Sequence, residues 1–226
     1  MLPATLAAIS KAMAGVSLAG ELLVVDNAST DSTAQIGRGH GAHVVTETVR
    51  QISRVRNAGA AASRGEFLIF VDADTLISPE LLRLALEKLK DGACGGGSLI
   101  RFEKEASGFA ALTARFWKWI SLRFKLLAGC FIFVRRDAFV SIGGFSEKVY
   151  ASEEIWFGKT LKTWARKESR PFVMLDGFPP VTSSRKLDLF PVYKLIGYTL
   201  LFLLFPFAVR FRVLCTFWYD RPGKAP

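Results

Sequence analysis

Short apolar runs alternate with helical patterns through the first 90 residues, and this alternation constrains the fold more than any other feature. The apolar runs are too short to be buried helices, so we interpret them as buried strands: residues 21–25, 42–46 and 66–71. Helical spacing or helix-start residues precede, separate and follow them: residues 2–13, 30–38, 52–63 and 79–90. Strands that alternate with helices form a mostly parallel sheet flanked by helices. We therefore predict an α/β, Rossmann-like fold.

The second half of the chain is less regular but continues in the same style. Three consecutive glycines begin a predicted strand over residues 95–102, and apolar runs predict two more strands at 129–134 and 172–175. Ser152 precedes two acids and a helical pattern that runs through Trp164. This arrangement predicts one helix beginning at Glu153.

Carboxylates stand at the ends of two predicted strands. Asp26 ends the first apolar run, while Asp72 and Asp74 end the third and are separated by one small residue. Ligands of open α/β sheets bind beyond the carboxyl ends of the strands. Two neighbouring acids destabilise a fold unless a cation lies between them, and a divalent ion on nucleotide phosphates would supply that charge. The alternative is a strand-to-helix connection, because Ser78 and Pro79 are typical of a helix start.

Composition limits the classes of partner. The chain has 226 residues, is half hydrophobic and carries a formal charge of +10, which favours nucleic acid, anionic lipid or a phosphorylated substrate. No nucleic-acid-binding module is recognisable, so we expect no nucleic-acid partner. The three cysteines form no C-x-x-C pair and only two histidines are present, which disfavours a metal cluster or a histidine-based triad.

The order and spacing of these motifs resemble the family-2 glycosyltransferases, which are inverting enzymes with the GT-A fold. The resemblance extends over about residues 2–186. It rests on the strand-end stretch 24–31, the stretch 56–59 with Gly65-Glu66, the Asp-X-Asp motif at 72–74, the loop 143–145 and the acidic stretch 152–156.

The resemblance implies a nucleotide-sugar donor and a divalent cofactor. Asp72 and Asp74 would hold Mg²⁺ or Mn²⁺ on the diphosphate, with Asp74 as the more direct ligand. Asp26 would contact the nucleoside, and Asp72 would also belong to the donor site. Arg56 would contact the nucleotide as well, although an arginine on a helix is more often a solvated charge.

The acidic pair Glu153-Glu154 is implied to be the catalytic end of the site. An inverting transfer needs a base that removes the proton of the acceptor hydroxyl. The resemblance assigns this role to Glu154 and a supporting role to Glu153. The alternative is that both acids simply stabilise a helix N-terminus.

Two departures from the family pattern stand out. The strand that normally precedes the first helix is missing, so we expect an N-terminally truncated domain, either from an internal start or as a fragment. Relatives place a metal-binding His late in the domain, whereas residues 181–186 contain none. Arg185 and Lys186 would then neutralise the diphosphate, or else simply lead into the tail.

The last part of the chain predicts contact with a membrane. We divide the chain into a glycosyltransferase domain (1–188) and an apolar tail (189–226), because residues 195–209 carry no charge. This stretch is shorter than the roughly 20 residues of a spanning helix, so we predict a helix lying in the interface. The alternative is a helix docked on the domain. Residues 109–125 are aromatic and basic, as expected for an acceptor site near lipid.

These observations predict a metal-dependent transfer of a sugar to a lipid-linked or cell-envelope glycan at the cytoplasmic face of a membrane. Two alternatives stay open. One is an inactive nucleotide-sugar-binding or scaffold protein, because the first strand is missing. The other is a nucleotidyltransferase, which also uses strand-end acids and a metal but does not need the acidic pair.

Overall fold

The computed structural model of the chain describes residues 1–103, 119–184, 197, 201 and 204–219. In the first 90 residues, each predicted helix and strand is present within a few residues of its predicted bounds. The elements are α1 (Leu2–Ala14), β1 (Leu23–Asp26), α2 (Thr33–Gly39), β2 (His43–Thr46), α3 (Ile52–Ala62), β3 (Phe67–Val71), β4 (Thr75–Leu76) and α4 (Pro79–Lys90).

The second half also contains its predicted helix and strands, with one strand divided. The predicted strand over 95–102 is broken at residues 99 and 100, so that its two pieces join different sheets. The elements are β5 (Gly95–Ser98), β6 (Arg101–Phe102), β7 (Phe131–Arg135), α5 (Arg136–Ser141), α6 (Glu153–Lys167), β8 (Phe172–Leu175), β9 (Val181–Thr182) and α7 (Thr216–Tyr219). Residues 119–124 are also helical.

The strands form three small sheets rather than one. β1 and β2 make a parallel pair, β3, β7, β5 and β8 form the central sheet in that order, and β4, β9 and β6 form the third. The central sheet is mixed, because β7 runs antiparallel to both β3 and β5. β3, β5 and β8 nevertheless share one direction, as expected for a mostly parallel sheet, and β7 is the exception. A strand buried on both faces has the same continuous apolar pattern in either direction, so its sequence does not reveal its orientation.

β7 is the centre of the hydrophobic core. Its residues from Phe131 to Val134 are completely buried. Helix α4 covers one face of the central sheet, with Leu81, Leu82 and Leu89 in contact with the strands. α6 covers the other face through Phe157 and Leu161. Burying this many large apolar side chains provides the main driving force for the fold.

Among the residues that the structure describes, no further strand pairs with the edges of β1 and β3 that face away from their partners. The side chain of Glu21, just before β1, connects this strand to the start of β3. Its Oε1 accepts hydrogen bonds from the backbone N–H groups of Arg64 and Gly65, just before β3. α1 is the first element, and Thr5 Oγ1 donates to the carbonyl of Ala73 at 3.1 Å. The expectation of a missing strand stays a prediction, and these three hydrogen bonds show what positions β1 and α1 relative to β3.

The predicted C-terminal apolar helix is not confirmed. Gly197, Leu201 and Leu204 are helical, but the chain then forms two 3₁₀ helices, Pro206–Arg210 and Arg212–Leu214, before α7. Pro206 explains where the first helix ends, because proline cannot donate a backbone hydrogen bond within a helix. Among the residues that the structure describes, no helix is long and apolar enough to cross a membrane. Most of the aromatic and basic stretch 109–125, and both Arg185 and Lys186, lie outside the described residues.

Candidate active site

The Asp-X-Asp loop lies at the carboxyl end of β3 and is held in place from three sides. The backbone N–H of Asp72 donates to the carbonyl of Cys130, which precedes β7, at 3.2 Å. Thr5 of α1 binds the carbonyl of Ala73, as described above. The backbone N–H of Ser183, just after β9, donates to the carbonyl of Asp74 at 3.2 Å. The loop is therefore fixed through its own backbone, by the N–H of Asp72 and the carbonyls of Ala73 and Asp74.

Arg56 of α3 connects the two predicted halves of the site. Its guanidinium donates to Glu153 Oε1 at 2.6 Å, to Asp72 Oδ1 at 3.1 Å and to the carbonyl of Gly129 at 2.9 Å. It also lies over the ring of Phe145, with Cζ 5.2 Å from the centroid. The side chain is only 8% exposed, so Arg56 is not a solvated surface charge. The structure thus joins the Asp-X-Asp motif to the acidic pair through one buried cation.

The charge of Arg56 is secured by its acidic neighbours. Burial alone lowers the pKa of the guanidinium, but the carboxylates of Asp72, Glu153 and Glu154 outweigh this effect and raise it. Arg56 therefore remains a cation, and it supplies part of the positive charge that the strand-end acids were predicted to need. Its predicted contact with the nucleotide stays a prediction.

Gly129 makes room for this arrangement. A Cβ atom at this position would lie 2.9 Å from Arg56 Nη2, closer than carbon and nitrogen atoms tolerate without a shift. The glycine carbonyl can therefore approach the guanidinium directly. Sequence reasoning did not single out Gly129, and its position at the start of a predicted strand gave no sign of a contact with α3.

Glu153 and Glu154 occupy the first turn of α6, as predicted. Glu153 is 3% exposed, and its Oε2 is buried with no hydrogen-bond partner within the described part of the chain. Glu154 is half-buried; burial, and then the charge of Glu153, raise its pKa above the ordinary carboxylate value of 4.5. Ser152, the residue before the helix, has a φ of +57°. Such left-handed backbone is unfavourable for serine and marks a turn whose shape is imposed by its surroundings.

The loop that leads into α6 is held by two amide side chains of the α3 region. Asn57 accepts from the N–H of Phe145 and donates to its carbonyl, both at 2.9 Å. Gln51 donates from Nε2 to the carbonyls of Glu147 and Val149 at 2.8 and 2.9 Å. Asn57 belongs to a stretch that the family resemblance highlighted, but Gln51 does not, since a single glutamine before a helix carries no sequence signal.

The turn at Gly143 and Gly144 directs Phe145 into the core. Both glycines have positive φ values, +78° and +68°. The ring of Phe145 stacks on Phe157 of α6 with centroids 4.2 Å apart and meets Phe70 of β3 edge-on at 5.2 Å. This packing fixes the start of α6 against the end of β3, and so fixes the acidic pair relative to the Asp-X-Asp loop.

Asp26 ends β1, which belongs to a different sheet from β3. Its Oδ1 accepts from the backbone N–H of Ser29 at 3.2 Å. The neighbouring Asn27 donates from Nδ2 to the carbonyls of Glu47 and Val49. These bonds shape the loop at the carboxyl end of β1. The structure therefore links Arg56, Asp72 and Glu153 directly, whereas the side-chain hydrogen bond that it shows for Asp26 is local.

The acids of the Asp-X-Asp motif fit a divalent ion that is also bound by a substrate. Asp72 is 45% exposed despite its bond to Arg56, and Asp74 is half-buried. The described residues contain no group of three or more His, Cys, Asp and Glu side chains that would hold a metal alone. Mg²⁺ commonly binds through one or two carboxylates, several waters and substrate phosphates. The carboxylates of Asp72 and Asp74 suit a metal ion that is bound in this way.

A separate cavity of about 540 Å³ lies at the opposite end of β1. Its lining includes Glu21, His40, His43 and Arg64. The two histidines of the chain are therefore grouped here and not with the Asp-X-Asp motif or the acidic pair. Because ligands of such sheets bind beyond the carboxyl ends of the strands, we do not assign this cavity to the active site.

Comparison with known proteins identifies the family. The chain matches the model of glycosyl transferase family 2 over residues 2–143, which is more than half of its length. Among curated proteins, none is significantly similar in sequence.

Solved structures share the fold at low sequence identity. The mannosyltransferase PcManGT from Pyrobaculum calidifontis, in complex with GDP-Man and Mn²⁺, is 19% identical with a TM-score of 0.65, and the match covers 100% of this chain and 63% of that one. S. aureus TarS 1-349 is 16% identical with a TM-score of 0.60, covering 92% and 62%. Glucosyl-3-phosphoglycerate synthase from Mycobacterium tuberculosis, in complex with Mn²⁺, UDP and phosphoglyceric acid, is 17% identical with a TM-score of 0.57, covering 99% and 76%.

This chain therefore spans less than two thirds of the first two structures. The family match includes β1, α3, the Asp-X-Asp loop and the first glycine of the turn before α6. The chain therefore belongs to glycosyl transferase family 2.

Proposed function

We propose that this protein transfers a sugar from a nucleotide-sugar to the hydroxyl group of an acceptor with the help of a divalent metal ion. The observation that carries the proposal is the buried bridge from Asp72 through Arg56 to Glu153. A donor site and a base must be held at a fixed separation for such a transfer. The bridge joins the strand-end acids to the acidic pair in this way.

The donor half of the site lies at the carboxyl ends of β1 and β3. Asp72 and Asp74 would hold Mg²⁺ or Mn²⁺, and Asp26 would contact the nucleoside. The metal, when bound, neutralises the negative charge of the departing diphosphate. Support comes from the exposed face of Asp72 and from two structures of the same fold, one solved with GDP-Man and Mn²⁺ and the other with UDP and Mn²⁺.

The acceptor half depends on Glu154. In the proposed step, the Glu154 carboxylate removes the proton of the acceptor hydroxyl while the acceptor oxygen attacks the anomeric carbon. The bond between that carbon and the diphosphate oxygen breaks on the opposite side, which inverts the anomeric configuration. The raised pKa of Glu154 makes its carboxylate a stronger base than an ordinary one. A general base is most effective when its pKa lies near the working pH.

Glu153 and Arg56 would act as positioning residues. Both side chains are almost completely buried, and each satisfies the charge of the other. Their hydrogen bond fixes the first turn of α6 relative to α3, so that Glu154 keeps its orientation. We propose this role for Arg56 beside the predicted nucleotide contact, because the bonds that the structure shows for its guanidinium end on Asp72, Glu153 and Gly129.

For the acceptor we propose a lipid-linked or cell-envelope glycan, used at the cytoplasmic face of a membrane. The support is chemical: the chain carries a charge of +10, and large apolar side chains are exposed near its C-terminus. An anionic surface attracts such a protein, and exposed apolar groups favour the interface.

Turnover of a nucleotide-sugar panel with Mn²⁺ tests the proposal. The protein should release nucleoside diphosphate, and Glu154→Gln should lower kcat by at least about 100-fold while binding is kept, since a general base contributes roughly that factor. Glu168→Gln, an exposed acid that follows α6, is the matched control and should keep full activity. Nuclear magnetic resonance of the product should show an inverted anomeric centre.

Other outcomes would favour the two alternatives. Nucleotide-sugar binding without turnover in the unaltered protein would support a binding or scaffold protein. Release of pyrophosphate instead of nucleoside diphosphate would support a nucleotidyltransferase. Full turnover by Glu154→Gln would contradict the assignment of the base.

A further inference from the structure

The C-terminal segment, residues 204–219, is attached to the loop that leads into α6. The side chains of Val209 and Cys215 are buried against Val149 and Ala151. The backbone N–H of Tyr150 donates to the carbonyl of Val209 at 2.6 Å. The segment therefore has a defined inner face that contacts the catalytic domain directly, two residues before Glu153.

A second contact reaches α3. The hydroxyl oxygen of Tyr219 accepts from the backbone N–H of Ile52, the first residue of that helix, at 3.4 Å, and its ring lies edge-on to Tyr150 with centroids 6.0 Å apart. The segment is thus held at Val209, Cys215 and Tyr219, which means that its outer face is a formed surface of the protein.

The outer face is apolar and open to water. Six large apolar side chains within eleven residues are between 37% and 77% exposed: Leu204, Phe205, Phe207, Phe211, Val213 and Leu214. Single exposed apolar residues are normal on protein surfaces, but several large ones grouped in one short segment are typical of an interaction site. We call this group the apolar patch.

The charges beside the apolar patch indicate which kind of apolar partner fits it. Arg210 and Arg212 are exposed in the same stretch, and residues 204–219 contain no acid. Arginine side chains can lie along apolar surface and still present their charge to phosphate groups. A surface of aromatic and aliphatic side chains with basic groups at its edge complements an anionic lipid interface, where both kinds of group are satisfied at the same depth.

We propose that the apolar patch inserts into the interface of an anionic membrane and holds the protein there. Because its inner face contacts residues 149–151, this binding would place the acidic pair of α6 beside the lipid surface. The inference deepens the proposed function, since an acceptor carried by a lipid would then meet the base without leaving the membrane. Binding of the patch itself does not depend on catalysis.

Co-sedimentation of the full chain with vesicles tests the inference. The probes are neutral phosphatidylcholine vesicles and vesicles of phosphatidylcholine with phosphatidylglycerol. The unaltered protein should bind the anionic vesicles, and Val213→Glu should weaken this binding by about tenfold or more, because a carboxylate is costly in the interface and is repelled by anionic lipid. Val140→Glu is the matched control, since Val140 on α5 is also a largely exposed valine and should be neutral.

A second variant separates the apolar and ionic contributions. Arg210→Gln should weaken binding to anionic vesicles and leave the weaker binding to neutral vesicles unchanged. Circular dichroism should show that each variant keeps the unaltered fold. Equal binding by Val213→Glu and the unaltered protein would overturn the inference.

Self-association is the competing outcome. If the apolar patch joined two copies of the chain, Val213→Glu would convert a dimer to a monomer in the absence of vesicles, and the inference would be wrong. Failure of vesicle binding with normal turnover would refute the membrane contact alone. Vesicle binding by a protein that does not turn over any nucleotide-sugar would instead refute the proposed function alone.

Discussion

Replacing Arg56 by methionine should destabilise the protein severely, because it removes the cation that satisfies Glu153. Glu153 is 3% exposed and would be left as a buried carboxylate without its partner, which typically costs about 3–5 kcal/mol. Asp72 is 45% exposed, so the loss of its bond adds only about 0–1 kcal/mol. The expected total of about 4 kcal/mol is a large fraction of the roughly 5–15 kcal/mol that stabilises a typical domain.

Urea denaturation followed by circular dichroism measures this loss as a shift of the midpoint at constant slope. The double variant Arg56→Met, Glu153→Leu removes both charges and should recover about 2 kcal/mol or more of the loss, since the two residues act as one unit. Arg54→Met is the matched control. Arg54 is on the same helix and pairs with Glu147, but its side chain is 38% exposed, so its replacement should cost less than about 1 kcal/mol.

Two results would refute this reasoning. One is a cost for Arg56→Met no larger than that for Arg54→Met, which would mean that the bridge contributes no more than a surface ion pair. The other is strict additivity of Arg56→Met and Glu153→Leu, which would mean that the two side chains do not depend on each other.

Two further predictions concern the same site. The pKa of Glu154 is raised above 4.5, so the folded state holds this proton more tightly than the unfolded state. The contribution of Glu154 to stability is therefore complete below about pH 4.5 and is lost as the pH rises through the pKa of the folded state. Glu154→Gln should therefore gain stability relative to the unaltered protein between about pH 5 and about pH 8 in urea titrations, and parallel pH profiles would contradict this. Gly129→Ala should cost about 1–3 kcal/mol by displacing the Arg56 guanidinium, whereas Gly39→Ala, which meets no atom within 4 Å, should be nearly neutral; equal midpoints in urea would contradict the close contact.

The first 90 residues could be predicted from the sequence because their signals are local. α4 is an example: Pro79 occupies its first turn, Ser78 Oγ accepts from the N–H of Leu81 at 3.2 Å, and leucines at helical spacing face the sheet. Each of these features involves residues that are close in sequence. Local chemistry and the hydrophobic pattern agree there, and the bounds of the helix follow.

The direction of β7 could not be predicted, because it depends on how the chain returns to the sheet. The run from Phe131 to Val134 is buried on both faces and has no alternation to read. Whether it pairs parallel or antiparallel with β3 is decided by the connection before it. The sequence therefore does not predict the order of strands in the central sheet.

The role of Arg56 illustrates the same limit within the site. The sequence placed it correctly on a helix and in a family motif, but helical periodicity did not show that this position faces an acid 97 residues later. The contacts of Gly129 and Gln51 are equally long-range. The sequence thus singled out Asp72 and Glu153, and the fold brings them together through Arg56.

Calorimetric titration with nucleoside diphosphates, with and without Mn²⁺, tests the central claim most directly. The unaltered protein should bind one of them at least about tenfold more tightly with Mn²⁺, a difference of about 1.4 kcal/mol. Asp74→Ala should abolish this gain, while Asp91→Ala, an exposed acid that follows α4, should keep it. Equal affinity with and without Mn²⁺, or an unchanged gain in Asp74→Ala, would contradict a metal-dependent donor site at the end of β3.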